Sequence, residues 1–173
     1  MFNIGDLIVY GGEGVCKVDA IGIPSSSMAD LGKIYYTLSP LYRDGQIFTP
    51  TDTKVFMRPV MSREEVEGVI ENIPNVDAMP VAERDPKQTE RTYREFISSH
   101  RCNDMIAVIK AVHIKRGEGG GTPRKTSQTD ERYLRMAEDL LYGEFAVALD
   151  IPRDDVRKYV ETRVENIITT QNA

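Results

Sequence analysis

Hydrophobic periodicity changes once along this 173-residue chain, at Pro59. Before it, branched and aromatic residues come in short runs broken by Gly, Pro, Ser and Asp. After it, apolar residues recur at i, i+3, i+4 and i+7. A period near two cannot share one element with a period of 3.6, so the chain divides into a β module, residues 1–60, and a helical module, residues 61–173.

The β module opens with a hairpin. Leu7–Tyr10 and Val15–Ile21 are two β-rich runs joined by Gly11-Gly12-Glu13-Gly14, and glycine admits the positive φ that a tight reversal requires. Gly5-Asp6 supplies a turn just before the first strand. After the polar connector Pro24–Asp30 come Lys33–Leu38, a turn at Arg43-Asp44-Gly45, the strand Gln46–Thr49 stopped by Pro50, and a short strand around Lys54–Met57 ending at Arg58-Pro59. Five short strands in sixty residues predict a small, strongly bent barrel of SH3 or Tudor type.

The helical module begins with Ser62-x-x-Glu65, a capping box, followed by the stripe Val66, Val69, Ile70 and Ile73. Residues 74–87 hold three prolines and read as an irregular connector. A second helix is predicted over Gln88–His100, with Tyr93, Phe96 and Ile97 inward. Asn103 or Asp104 is expected to cap a third, carrying Met105, Ile106, Val108, Ile109 and Val112. The glycine-rich basic run Arg116–Lys125 reads as a flexible loop. Ser127-x-x-Asp130 then opens the longest helix, with Leu134, Ala137, Leu141, Phe145 and Ala148 inward. Pro152 starts a last one, striped by Val156, Val160, Val164 and Ile167 or Ile168. The expected fold class is therefore α+β and multidomain: a β barrel, then an all-α bundle of about five helices.

Composition excludes several functions. No run approaches eighteen apolar residues, and no charged region followed by an apolar stretch stands at the N-terminus, so neither a membrane span nor secretion is expected. Cys16 and Cys102 are expected to be reduced, which with the missing secretory signal points to the cytoplasm. They have no companions to form a zinc set, so no metal or cofactor is expected. His100 and His113, each among basic residues, have no Ser, Cys or carboxylate constellation around them. The Gly119–Thr126 run looks like a phosphate loop, but Arg124 stands where a second glycine must let backbone amides approach phosphate. No catalytic site is expected, and the chain reads as a non-enzyme.

Net charge is −5, yet residues 84–135 hold twelve Lys and Arg against seven Asp and Glu. That local charge of +5 leaves −10 on the remainder. Two readings fit: a positive middle that lies on phosphate, or a solvated surface of mixed sign.

The opening Ile4-Gly5-Asp6-Leu7-Ile8-Val9-Tyr10-x-x-x-Gly14-Val15 resembles the start of the CarD family of bacterial transcription regulators, whose module recurs as the RNA-polymerase-interacting domain of transcription-repair coupling factor. Two later segments resemble the same family. Arg91-Thr92-Tyr93-Arg94-Glu95-Phe96-Ile97 is similar to its R-x-Y-[RK]-x-x-[LI] helix, with Asp104 later opening the next helix. The run from Asp130 through Leu134, Ala137, Leu141 and Glu144 to Leu149 is similar to its closing helix.

The resemblance implies a polymerase β-subunit partner, docked on the strand Gln46, Ile47, Phe48 and Thr49. Where many relatives place an arginine in that strand, this chain has Phe48, which leaves main-chain pairing and apolar contact. One of Ile47 and Phe48 should point into the barrel, so a core role competes there. The resemblance also implies that the helix bearing Arg91 and Arg94 lies on upstream promoter DNA, with Arg101, Arg124 and Lys125 extending the patch. An ion-pair lattice with Glu90 and Glu95 is the competing reading of those arginines. Relatives carry a wedge tryptophan shortly before the arginine pair; here Thr89 stands near that position and the chain has no tryptophan. The functional expectation is a monomeric regulator that binds polymerase and touches promoter DNA without reading its sequence, modulating the open complex. A polymerase-docking adaptor that recruits a second protein is the alternative.

Overall fold

The computed structural model describes residues 1–24, 32–82, 84–118 and 120–172. They form two compact units, Met1–Val60 and Met61–Ala173. Most of the Pro24–Asp30 connector, Glu83 of the second connector and Gly119 of the basic loop lie outside the described residues.

The first unit is one antiparallel sheet of five strands: β1 (Leu7–Tyr10), β2 (Gly14–Gly22), β3 (Tyr35–Pro40), β4 (Ile47–Pro50) and β5 (Met57–Pro59). Their spatial order is β4-β3-β2-β1-β5. The β1–β2 connection is a 3-10 turn over Gly11–Glu13, with positive φ at Gly11 and Gly14 but not at Gly12. At Gly11 an added Cβ would stand 3.0 Å from Val55, so the turn needs glycine there for space as well as conformation. The Gly5-Asp6 turn is tied to β2, since the Gly5 amide donates to the Val18 carbonyl and the Val18 amide to that of Asp6.

The inner face of the sheet carries Ile8, Tyr10, Cys16, Val18, Tyr36 and Leu38, with Phe2, Ile21, Ile47 and Met57 packed against them. Burial pushes the Cys16 thiol up to about 11, which makes it a packing residue with little thiolate at neutral pH. The predicted barrel is not closed among the described strands, because β4 and β5 are the two edges and do not pair. The reason is local: β5 has three residues and ends in Pro59, which has no amide to donate, so it cannot carry a closing ladder.

The second unit holds, among the described residues, five helices: α1 (Arg63–Asn72), α2 (Pro86–Ser98), α3 (Cys102–Lys115), α4 (Gln128–Leu149) and α5 (Arg153–Gln171). The expected capping box at Ser62 is present, and the start expected at Ser127 is a second one. Ser62 accepts from the Glu65 amide while Glu65 accepts from that of Ser62, and Ser127 and Asp130 repeat the exchange. Asp85 caps α2, with Pro86 at its first position.

The start of α3 differs from expectation. Its N-cap is Arg101, and Asn103 and Asp104 fall inside the first turn. His100 takes the left-handed conformation, φ 56°, and so ends the α2 turn. The helix resumes at once, and Asp104 accepts from Arg101 instead of capping.

The core joins all five helices through Val66, Ile70, Tyr93, Ile97, Met105, Ile106, Val108, Val112, Leu134, Ala137, Leu141, Phe145, Val156 and Val160. Two polar anchors fix the ends of α1. The buried Glu144 carboxylate accepts from the Met61 amide at 2.9 Å. Lys110 donates to the Ile73 and Val76 carbonyls at 2.5 and 2.6 Å, satisfying a turn that Pro74 breaks. Among the described residues no helix is long and apolar enough to cross a membrane.

Candidate functional site

Three places hold the residues singled out from sequence: the β4 edge of the first unit and, in the second, an arginine-bearing face of α2 and the α3–α4 loop with Arg124 and Lys125, which lies at a separate groove. The orientation of β4 is set by its pairing with β3, in the register Tyr36↔Thr49, Thr37↔Phe48 and Leu38↔Ile47. The Thr51 amide donates to the Ile34 carbonyl across this seam at 2.9 Å. By the two-residue alternation, Thr49 and Ile47 also turn their backbone groups toward β3, while Phe48 and Pro50 turn theirs outward; Gln46, expected in this strand, lies just before it. No described strand pairs with that outer side.

The side chains follow the same alternation. Ile47 packs on the sheet's core and Thr49 is buried, whereas Phe48 is 47% exposed and Gln46 is exposed. The competition between Ile47 and Phe48 for the inward position resolves in favour of Ile47. β4 thus presents the outward backbone groups of Phe48 with its aromatic side chain beside them.

The opposite edge is limited by its own residues. The Gly11 amide donates to the Phe56 carbonyl and the Val60 amide to that of Leu7, so Phe56, Arg58 and Val60 face β1, and Met57 and Pro59 face outward. Pro59 has no amide, and its carbonyl accepts from the Arg58 guanidinium at 3.0 Å. Among the described residues of β5, Met57 turns both an amide and a carbonyl to that side. On β4 Pro50 also faces outward without an amide, and its carbonyl accepts from the Thr53 amide at 3.0 Å, so the backbone groups that an incoming strand can pair with are those of Phe48 on β4 and of Met57 on β5.

On α2, Arg91 and Arg94 are exposed, and with Asp85, Lys87, Gln88 and Glu90 they line a shallow groove of about 450 Å³. Arg94 pairs with Glu90 at 3.4 Å, so the ion-pair reading holds for that residue. The Tyr133 hydroxyl and the Glu90 carboxylate together keep its guanidinium firmly charged. Arg101 is exposed and pairs with Asp104 at 2.9 Å. Arg124 and Lys125 lie on the α3–α4 loop, at the rim of a separate groove of about 800 Å³ floored by Met79, Val81, Ala111 and Ile114. Thr89 does not face solvent: it is buried, and its hydroxyl donates to the Ala82 carbonyl at 3.0 Å.

Sequence reasoning missed the support behind this face. Tyr93 and Tyr133 stack with ring centroids 4.9 Å apart and planes 6° from parallel. Arg132 lies over the Tyr133 ring at 4.9 Å and donates to Glu90 at 2.8 Å. Beneath them Asp130, 1% exposed, accepts from the Tyr93 hydroxyl at 2.8 Å and from Lys115 at 2.6 Å. Burial alone would raise the Asp130 pKa, but Lys115, the Ser127 amide and Tyr93 outweigh it and hold the carboxyl below its ordinary value. The Glu90–Arg94 spacing is a local signal for the first ion pair of the face. Arg132 has none.

His113 also departs from its expected basic surroundings. Its Nδ1 lies 2.7 Å from Glu118 and its Nε2 4.0 Å from Glu138. Among the described residues no group of three or more His, Cys, Asp and Glu is placed to hold a metal ion.

Residues 2–61 match the family model described as the CarD-like/TRCF RID domain. This chain carries a CarD-like/TRCF RID domain. The match coincides with the sheet unit and ends where the helical unit begins. The RID, or RNA-polymerase-interacting domain, ties the chain to transcription and to RNA polymerase. No curated protein matches the chain.

Proposed function

We propose that the RID sheet docks on the β subunit of RNA polymerase by strand addition at β4, and that the helical unit then contacts upstream promoter DNA through Arg91 and Arg94. The observation that carries this reading is the β4 edge of the sheet. On β4 the backbone groups of Phe48 face outward beside its exposed ring, and Pro50 closes the end of that edge, while Pro59 and Arg58 limit β5. Main-chain pairing supplies the affinity, and Phe48 supplies an apolar contact in place of a charged one.

The DNA contact is to the backbone, without sequence readout. Arg91, which shows no ion pair among the described residues, and the weakly paired Arg94 carry it, with Arg101, Arg124 and Lys125 as further cations. Docking on polymerase raises the effective concentration at promoters, so an acidic protein needs only a modest basic face. The buried Thr89 offers no wedge for an unstacked base step. The protein therefore modulates the open complex by backbone contact alone. It acts in the cytoplasm as a monomer, without catalysis, metal or cofactor.

The ion pairs of Arg94 with Glu90 and Arg101 with Asp104 favour a second reading, in which this face is solvated and the helices recruit another protein. Binding of the full chain to fork-junction DNA, with and without RNA polymerase at low salt, separates the two. Retention of the chain on DNA in the ternary mixture supports DNA contact. An outcome with no DNA dependence in any mixture supports the adaptor.

A further inference from the structure

We infer that Glu90 occupies the place of a DNA phosphate on the free protein, and that Arg132 is a further backbone contact of the arginine face. This rests on the DNA-contacting reading of Arg91 and Arg94.

A single oxygen of Glu90 accepts from Arg94 of α2 at 3.4 Å and from Arg132 of α4 at 2.8 Å. Two guanidiniums from two helices therefore converge on one anionic point. Arginine forks around one oxyanion are the arrangement a phosphate group takes up, and a phosphate offers more acceptor oxygens than the one that Glu90 uses. Glu90 supplies one negative charge to Arg94 and Arg132 together, and Arg91 adds a third cation beside them. The cluster keeps a net positive charge while its carboxylate stays in place.

The cations are held in position before any ligand arrives. Arg132 rests on the Tyr133 ring, and Tyr133 stacks on Tyr93, which Asp130 anchors. Such mounting lowers the ordering cost of binding. The pairs themselves are exposed, with side chains 72% accessible at Arg94, 56% at Arg132 and 37% at Glu90. Exposed ion pairs are weak, so a phosphate displaces the carboxylate at little cost. Glu90 thus lowers affinity for DNA while keeping the arginines spaced for it.

The test is binding of the full chain to fork-junction DNA over a range of salt, with and without RNA polymerase. It compares wild type with E90Q, R132A, R132K and the R91E/R94E double variant, with thermal melting of each. E90Q is expected to bind at least about threefold tighter at low salt, as one like-charged competitor leaves the cluster. R132A is expected to bind severalfold weaker, with the slope of log K against log salt smaller in magnitude by about 0.9. R132K should fall between R132A and wild type, because it keeps the charge and loses the fork. A purely structural role for Glu90 would lower melting and binding together, and that result would overturn the inference. If R91E/R94E weakens binding while E90Q and R132A match wild type, the inference is wrong and the DNA-contacting reading stands. If no variant alters binding, that reading fails and takes the inference with it.

Discussion

The Tyr93 hydroxyl donates to the Asp130 carboxylate across 2.8 Å, joining the middle of α2 to the first turn of α4. The same carboxylate accepts from Lys115 at the end of α3 and from the Ser127 amide at its own helix's cap. One buried side chain therefore locks three helices and holds the aromatic pair under the arginine face.

Tyr93→Phe removes the donor and leaves a buried carboxylate oxygen short of a partner. The expected cost is about 2 kcal/mol of unfolding free energy, read from urea denaturation. Asp130→Ala should cost more, since it also leaves Lys115 without its counter-charge and α4 without half of its capping box.

Acid should find the same network. The folded Asp130 carboxyl titrates below its unfolded value, so its contribution is complete above the ordinary carboxylate range and is lost as pH falls through the folded value. In acid titration of unfolding free energy, Asp130→Asn should flatten that part of the curve. A variant curve parallel to wild type would show that Asp130 does not supply this dependence.

Ser62→Ala should cost about 1 kcal/mol by removing one half of the α1 capping box. Equilibrium denaturation monitored by far-ultraviolet circular dichroism would read it. The change should leave the β4 edge, and so polymerase binding, unaltered.

Reversal of Arg91 and Arg94 to Glu should weaken retention on polymerase-bound promoter DNA. It should also flatten the salt dependence, by about 0.9 in slope for each phosphate that is no longer neutralised. Binding to polymerase alone should not change. Titration of the complex at several salt concentrations checks both.

Local chemistry was legible in the residues, and long-range arrangement was not. Ser62 with Glu65 and Ser127 with Asp130 announce their helix starts because cap and partner lie three residues apart. The partners of Asp130 across the bundle, Lys115 and Tyr93, stand 15 and 37 residues away, and no spacing rule joins them. A strand here could be read from composition, though it spans Ile47–Pro50 and not the expected Gln46–Thr49. Its place at the edge could not, because that depends on which strands pair and on Pro59 ending β5. The capping role expected of Asn103 or Asp104 failed because His100 ends the preceding turn in a left-handed conformation that polar-residue counting does not foresee.

Strand addition at β4 is the central claim, and Phe48→Pro tests it most directly. The Phe48 amide faces outward, so proline there removes a donor from the docking edge without breaking a hydrogen bond to β3. The measurement is the Kd of the full-length protein for RNA polymerase, wild type against F48P, with melting curves for both. Strand addition predicts a loss of affinity of roughly tenfold or more, about 1.4 kcal/mol, with melting little changed. Equal affinity from a folded F48P protein would contradict it.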